Sequence, residues 1–261
     1  MLSYQHLYHA GNPADVHKHA LLAWTLDYLT RKPKPLTYLE SHAGRGLYDL
    51  AAPEALKTGE AGQGITRMAA QFPQDHVYLQ ALARVRAVHG ASAYPGSPLL
   101  AATLLRDIDA LHLAELHPAE HAVLAGVMAP HRVQVHKTDG LAMALSRTPP
   151  EPRRGLLLID PSWEVKDDYA RMPKLMADLH RRWNVGILML WYPVLTDARH
   201  RPMTRALRAL LPGITLHEVA FPPARPGHGM VGSGLAVVNA PYGFDAEALA
   251  ITRIFEKAFA D

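Results

Sequence analysis

The chain has 261 residues, a formal net charge of +3 and no cysteine, which suits one α/β domain with a modest insertion and excludes disulfides and thiolate metal sites. No run of about 18 apolar residues is present to span a membrane, and the N-terminus carries no charged segment leading into an apolar one, so a cytoplasmic protein is expected. A pI near 9.1 permits a polyanionic partner without requiring one.

In chain order, Asn12 and Pro13 suit the N-cap and first position of a helix, with Asp15 in its electropositive first turn. That helix is predicted to reach about Thr30 and to end before Lys32-Pro33-Lys34-Pro35. Leu36 to Glu40 then reads as a buried strand feeding the turn Ser41-His42-Ala43-Gly44-Arg45-Gly46, where Gly44 lets the backbone approach a ligand. The dinucleotide G-x-G-x-x-G is not completed, because Asp49 stands where a small residue is needed. A cofactor without a pyrophosphate, such as S-adenosyl-L-methionine, fits the shorter turn.

No acid-tipped strand follows until residue 111, although a plain Rossmann unit reaches its second strand about 20 residues after the glycines. Ile65, Met68, Phe72, Tyr78, Leu82, Val85 and Val88 recur at helical spacings instead, so an inserted helical subdomain is expected over 48–98. Residues 1–47 and 99–261 then form the Rossmann-like domain. Leu111 to Ala114 ends on Glu115, an acid suited to ribose hydroxyls, and Val133 to His136 leads to Asp139-Gly140, suited to an adenine edge. Gly155 to Ile159 is a further buried strand, ending at Asp160-Pro161-Ser162-Trp163. A helix over Tyr169 to Trp183 and a strand over Gly186 to Trp191 follow. Thr215 to Phe221 and Gly234 to Asn239 read as a terminal antiparallel pair around a Pro/Gly-rich loop.

Asp160-Pro161-Ser162-Trp163 carries the most chemistry. Ligands of open α/β sheets sit at the carboxyl ends of strands. Enzymes that methylate an exocyclic amine place Asp/Asn-Pro-Pro-aromatic there, because the adenine N6 lone pair must be localised before it attacks. The acid and the next carbonyl accept the two N6 hydrogens, and the aromatic ring stacks on the base. Ser162 replaces the second proline, and Trp163 stands where tyrosine is usual. Both acceptors and an aromatic ring survive that change.

The chain resembles the RlmJ-type 23S ribosomal RNA adenine-N6 methyltransferases from its first residue nearly to its last. The blocks that carry the resemblance are Met1-Leu2-Ser3-Tyr4-Gln5-His6, His9-Ala10-Gly11-Asn12, Ala14-Asp15-Val16, Lys18-His19, Thr58-Gly59-Glu60, Tyr94-Pro95-Gly96-Ser97-Pro98, Glu115-Leu116-His117-Pro118, Asp139-Gly140, Arg153-Arg154-Gly155 and Leu190-Trp191-Tyr192-Pro193. The resemblance implies a class I fold with a mostly parallel seven-stranded sheet. It implies cofactor contact by Lys18, His19, His42, Ser97, Glu115, Asp139, Gly140 and Asp160, catalysis by Asp160, and a substrate-side role for Tyr4 and His6. A monomer acting on 23S ribosomal RNA or a large-subunit precursor is expected. A DNA adenine-N6 methyltransferase and a non-catalytic RNA-binding assembly factor are the alternatives.

A metal site is not expected: His17 and His19 lie about 200° apart around a helix, and neither H-E-x-x-H nor cysteine ligands occur. Ser97 and Ser233 lie outside any G-x-S-x-G, which argues against a serine hydrolase. Trp191 and Tyr192 read as core and turn. Basic residues gather at Arg31, Lys32 and Lys34, at Arg153, Arg154, Arg181 and Arg182, and at Arg199, Arg201, Arg205 and Arg208. Several on one side of the fold would make a polyanion footprint.

Overall fold

A computed structural model of the chain describes residues 5–165 and 167–260. The chain order is α1 (Pro13–Thr30), β1 (Thr37–Glu40), β2 (Leu47–Asp49), α2 (Pro53–Thr58), α3 (Val77–His89), β3 (Ala93–Pro95), α4 (Ser97–Leu104), β4 (Ala110–Ala114), α5 (Pro118–Met128), β5 (Val133–His136) and α6 (Gly140–Arg147). It continues with β6 (Gly155–Ile159), α7 (Asp168–Arg182), β7 (Ile187–Leu195), α8 (His200–Leu210), β8 (Thr215–Ala220), β9 (Met230–Val238) and α9 (Phe244–Phe259). Seven strands form one sheet in the order β5-β4-β1-β6-β7-β9-β8. β5, β4, β1, β6 and β7 run parallel, and β9 lies antiparallel between β7 and β8. This is the mostly parallel, seven-stranded Rossmann-like sheet that the resemblance implies.

β1 and β6 are buried at every residue, as expected of parallel strands covered by helices on both faces. Gly155 is needed where they start, because a Cβ there would lie 1.9 Å from the Thr37 carbonyl oxygen. One core, on the α1 and α9 side, includes Leu21, Tyr38, Leu158 and Phe255; the other, under α7 and α8, includes Leu157, Ile159, Met176, Trp183 and Leu207.

α1 begins as the sequence suggests: the Asn12 side chain accepts the Asp15 amide at 2.9 Å, with Pro13 next. It is buried on nearly every side, unlike a surface helix with one apolar stripe. Asp15, His17, Lys18 and His19 are thereby carried into the interior, where charge must be paired.

The chain leaves the sheet after β1 and returns through a small antiparallel pair, with Leu47 opposite Pro95 and Asp49 opposite Ala93. Strands of three residues are too short to be read from periodicity. Between 60 and 76 the expected helix is replaced by a π turn over Gly62–Thr66 and a 3₁₀ turn over Ala69–Gln71. Gly64 packs so tightly that a Cβ would lie 1.9 Å from the Gly11 carbonyl oxygen. Met68, Phe72, Tyr78 and Leu82 join the main core, whereas Val88 is 77% exposed near the end of α3. The inserted segment therefore shares its core with α1 and the sheet. Among the described residues no helix is long and apolar enough to cross a membrane.

Candidate active site

The carboxyl ends of β1, β4, β5 and β6 open on one cleft of about 510 Å³. Sequence order reverses between β1 and β6, since β4 and β5 lie on one side of β1 and β6 and β7 on the other. That switch point is where such sheets bind ligands. Gly44 and Gly46 take left-handed φ of 61° and 80° in the turn after β1. The Gly44 amide donates to Glu115 Oε2 at 2.8 Å and the His117 amide to Oε1 at 2.7 Å, so the acid that ends β4 is oriented by two backbone donors. Asp139 N-caps α6 through the Ala142 amide at 2.8 Å. At Gly140 a Cβ would lie 1.6 Å from the Ser41 carbonyl oxygen, so only glycine lets α6 begin against the β1 turn.

On the opposite wall a charged cluster joins α1 to the end of β6. Lys18 Nζ lies 2.6 Å from Asp160 Oδ2 and 3.1 Å from Asp15 Oδ1, and 5.6 Å from the centre of the Trp191 ring. Burial disfavours the Lys18 charge, but the carboxylates of Asp160 and Asp15 outweigh it and hold its pKa above the usual lysine value. Burial likewise opposes ionisation of Asp15, yet His6, Lys18 and His19 bring it well below the usual carboxylate range. Asp15 Oδ2 also accepts the Gly11 amide at 2.9 Å and faces His6 Nε2 at 2.8 Å. Residues 6–12 are thereby fixed against the cleft. They are fastened again through Glu60, which meets His9 Nδ1 at 2.9 Å and the Asn12 amide group at 3.1 Å.

Two further polar groups lie deeper. Ser97, first residue of α4, donates to Glu40 Oε1, and the Tyr38 hydroxyl donates to Oε2 at 2.8 Å when the carboxyl is ionised. Burial pushes the Glu40 pKa up to about 8 despite both hydroxyls, so the carboxyl keeps its proton near neutrality and returns one of those bonds as donor. His19 sits 2.9 Å from the Tyr94 hydroxyl, and burial lowers its pKa to about 3, leaving a neutral ring. His42 is lowered by the same cause and contacts Ser41 Oγ at 2.7 Å.

A model of the family "Ribosomal RNA large subunit methyltransferase D, RlmJ" matches residues 33–261. Ribosomal RNA large subunit methyltransferase J of Escherichia coli is 39% identical over 247 residues, covering 93% of this chain and 88% of the relative. The Haemophilus influenzae protein of the same name is 37% identical over 255 residues, covering 95% and 90%. The chain belongs to the RlmJ family of ribosomal RNA large-subunit methyltransferases. A crystal structure of a Legionella pneumophila protein, 35% identical, superimposes with a TM-score of 0.86 over 96% of this chain and 94% of that one.

The cleft brings together Lys18, His19, His42, Gly44, Ser97, Glu115, Asp139, Gly140, Asp160 and Pro161, with His6 at its rim. Tyr4 lies outside the described residues. Trp163 departs from its expected place. Its backbone is left-handed, with φ of 58°, and its ring packs on Tyr169 with centroids 4.5 Å apart. Its Nε1 donates to the Trp191 carbonyl at 3.2 Å, leaving the side chain 7% exposed in the core under α7. The strand-to-helix turn points the indole away from the cleft, so Trp163 offers no stacking face in this conformation. Trp191, read as core, lines the cleft instead, and Arg171 was not foreseen there. Asp15 and Glu40 had a usable signal: acids inside apolar helices or strands need partners. Among the described residues no group of three or more His, Asp or Glu is arranged to hold a metal ion.

Proposed function

We infer that this RlmJ-family protein transfers a methyl group to N6 of an adenine in 23S ribosomal RNA. The observation that carries the reading is Asp160-Pro161 at the end of β6, facing the same cleft as Glu115, Gly44 and Asp139, with Lys18 paired to the aspartate. The residues present suit S-adenosylmethionine. Gly44 has no room for a side chain, since a Cβ would lie 2.7 Å from the Tyr48 hydroxyl. Glu115 retains acceptor lone pairs for two ribose hydroxyls, and Asp139 with the Gly140 amide suits an adenine edge. S-adenosylmethionine, when bound, supplies an electrophilic methyl group.

The remaining work falls to the chain's own groups. The free Asp160 oxygen and the Pro161 carbonyl accept the two amine hydrogens of an adenine drawn out of its stack. This localises the nitrogen lone pair and stabilises positive charge as it develops there. Lys18 pairs with Asp160 and fixes the direction of its carboxylate. Trp191 offers an aromatic surface beside the reacting position, and His6 faces the RNA side of the cleft. Holding amine and methyl donor in line supplies much of the rate.

The test is modification mapping of ribosomal RNA from a deletion strain, followed by methylation of that RNA by purified wild type, Asp160→Asn and Asp160→Ala. We expect one N6-methyladenosine to disappear from 23S RNA, activity to be abolished in Asp160→Ala, and part of it to remain in Asp160→Asn, whose carbonyl still accepts. N6-methyldeoxyadenosine in DNA, or no methylated product, overturns the reading.

A further inference from the structure

Because β5, β4, β1, β6 and β7 are parallel and adjacent, the segments entering them line up along the sheet edge opposite the cleft. In sheet order these are residues 129–132, 105–109, 31–36, 148–154 and 181–186. They contain nine Lys and Arg and three Asp and Glu, a surplus of six in a chain whose formal total is +3. At about 4.8 Å per strand the row is about 20 Å long.

The row is held rigid by its own arginines. Arg106 donates to the carbonyls of Thr30 at 2.9 Å, Lys32 at 2.7 Å and Lys34 at 2.9 Å. Arg154 reaches the Leu29 and Lys34 carbonyls from the other side, and Arg132 bonds the Asp107 carbonyl at 3.0 Å. With its carbonyls turned inward and Pro33 and Pro35 restricting φ, the Lys32-Pro33-Lys34-Pro35 segment lies exposed. Arg31, Arg106 and Arg181 are neutralised by Asp27, Asp109 and Asp178. Lys32, Lys34, Arg132, Arg153, Arg154 and Arg182 form no ion pair among the described residues. Burial and the neighbouring Arg106 lower the Arg154 pKa, consistent with excess positive potential.

We propose that this basic edge is a second RNA-binding surface, which grips the phosphate backbone of a ribosomal RNA segment separate from the one that enters the cleft. RNA is the polyanion favoured because the chain's family acts on ribosomal RNA. In naming RNA, the proposal rests on the function inferred above. The two binding faces lie at opposite edges of the sheet, so the strand presenting the target adenine does not reach the basic row without passing around the molecule. The row reads no sequence, since phosphate contacts position an RNA without specifying it.

The test compares full-length wild type with the K32Q/K34Q/R153Q/R182Q variant. Affinity for a random-sequence RNA duplex of about 20 base pairs is measured by fluorescence anisotropy between about 50 and 200 mM salt. Every phosphate that the protein no longer neutralises lowers the salt slope by about 0.9, so with four cations removed we expect the variant's slope to be shallower by up to about 3.6. S-adenosylhomocysteine affinity is expected to be unchanged, which verifies the fold. An unchanged slope and affinity overturn the proposal. So does loss of binding to phosphatidylserine vesicles with RNA binding intact, which would mark a membrane surface. The duplex assay needs no methyl transfer: a failed modification map with a reduced salt slope sinks the function and leaves the RNA surface standing.

Discussion

Glu40 and Glu115 are both acids at the ends of adjacent parallel strands, yet their surroundings give them opposite tasks. Glu40 is fully buried beneath two hydroxyls, and its folded carboxyl titrates near pH 8 because burial penalises the charge. The unfolded chain releases that proton near pH 4.3. The folded state thus binds more protons across this window, and stability falls as pH rises through it. Glu40→Gln, which mimics the protonated acid, removes that dependence. Its stability relative to wild type should grow from pH 5 to pH 8 by at most about 1.4 kcal/mol per pH unit, measured by urea unfolding at three pH values; a constant difference would contradict a protonated Glu40. Glu115 is half-buried, and each oxygen already accepts a backbone amide while keeping a lone pair for the cleft. Glu115→Ala should weaken S-adenosylhomocysteine binding by about 1–3 kcal/mol by calorimetry, the cost of unpaired buried hydroxyls. Unchanged affinity would place the ribose elsewhere.

At the scale of elements, the segment joining β6 to α7 separates Asp160 from Trp163. Asp160 is held towards the cleft by Lys18 of α1, while the left-handed backbone at 163 directs the indole into the core under α7. A bulky residue at positive φ costs about 1–3 kcal/mol and persists because Tyr169 and the Trp191 carbonyl engage the ring. Trp163→Ala should therefore destabilise the protein by about 3–5 kcal/mol, as for other large buried aromatics. Trp163→Phe keeps most of the packing and should cost less than half as much. Chemical denaturation of both variants checks this, and a Trp163→Ala protein as stable as wild type would mean that the ring is not anchored in the core.

For the molecule as a whole, burying α1 on nearly every side places two neutral histidines in the interior. Burial holds His17 well below the usual histidine range and His19 at about 3. The unfolded chain takes up protons at these positions near pH 6.5 and the folded one does not, so stability falls as pH drops below 6.5. Each histidine contributes up to about 1.4 kcal/mol per pH unit; together they exceed the opposing single-proton slope of Glu40. Urea unfolding at pH 6.5, 5.5 and 4.5 should show this decline, and His19→Gln should reduce its slope by about one proton. Stability that instead rises as pH drops, following Glu40 alone, would show that both rings protonate in the folded state.

The local pattern of the chain determined the Asn12-Pro13 start of α1, the all-apolar strands β1 and β6, the glycine turn after Glu40 and the acids at successive strand ends. These depend on residues within one or two turns or strand lengths of each other, where capping, burial and backbone freedom act directly. Packing across long sequence separations decided the rest. Lys18 meets Asp160 142 residues away, and Ser97 meets Glu40 57 residues away. Five separate connections become one basic edge only because their strands lie parallel and adjacent. Likewise, the aromatic residue after Asp160 could be read from sequence, but its direction could not. The turn's dihedral angles and the competing pull of Tyr169 and α7 exist only once the sheet and its covering helices have assembled.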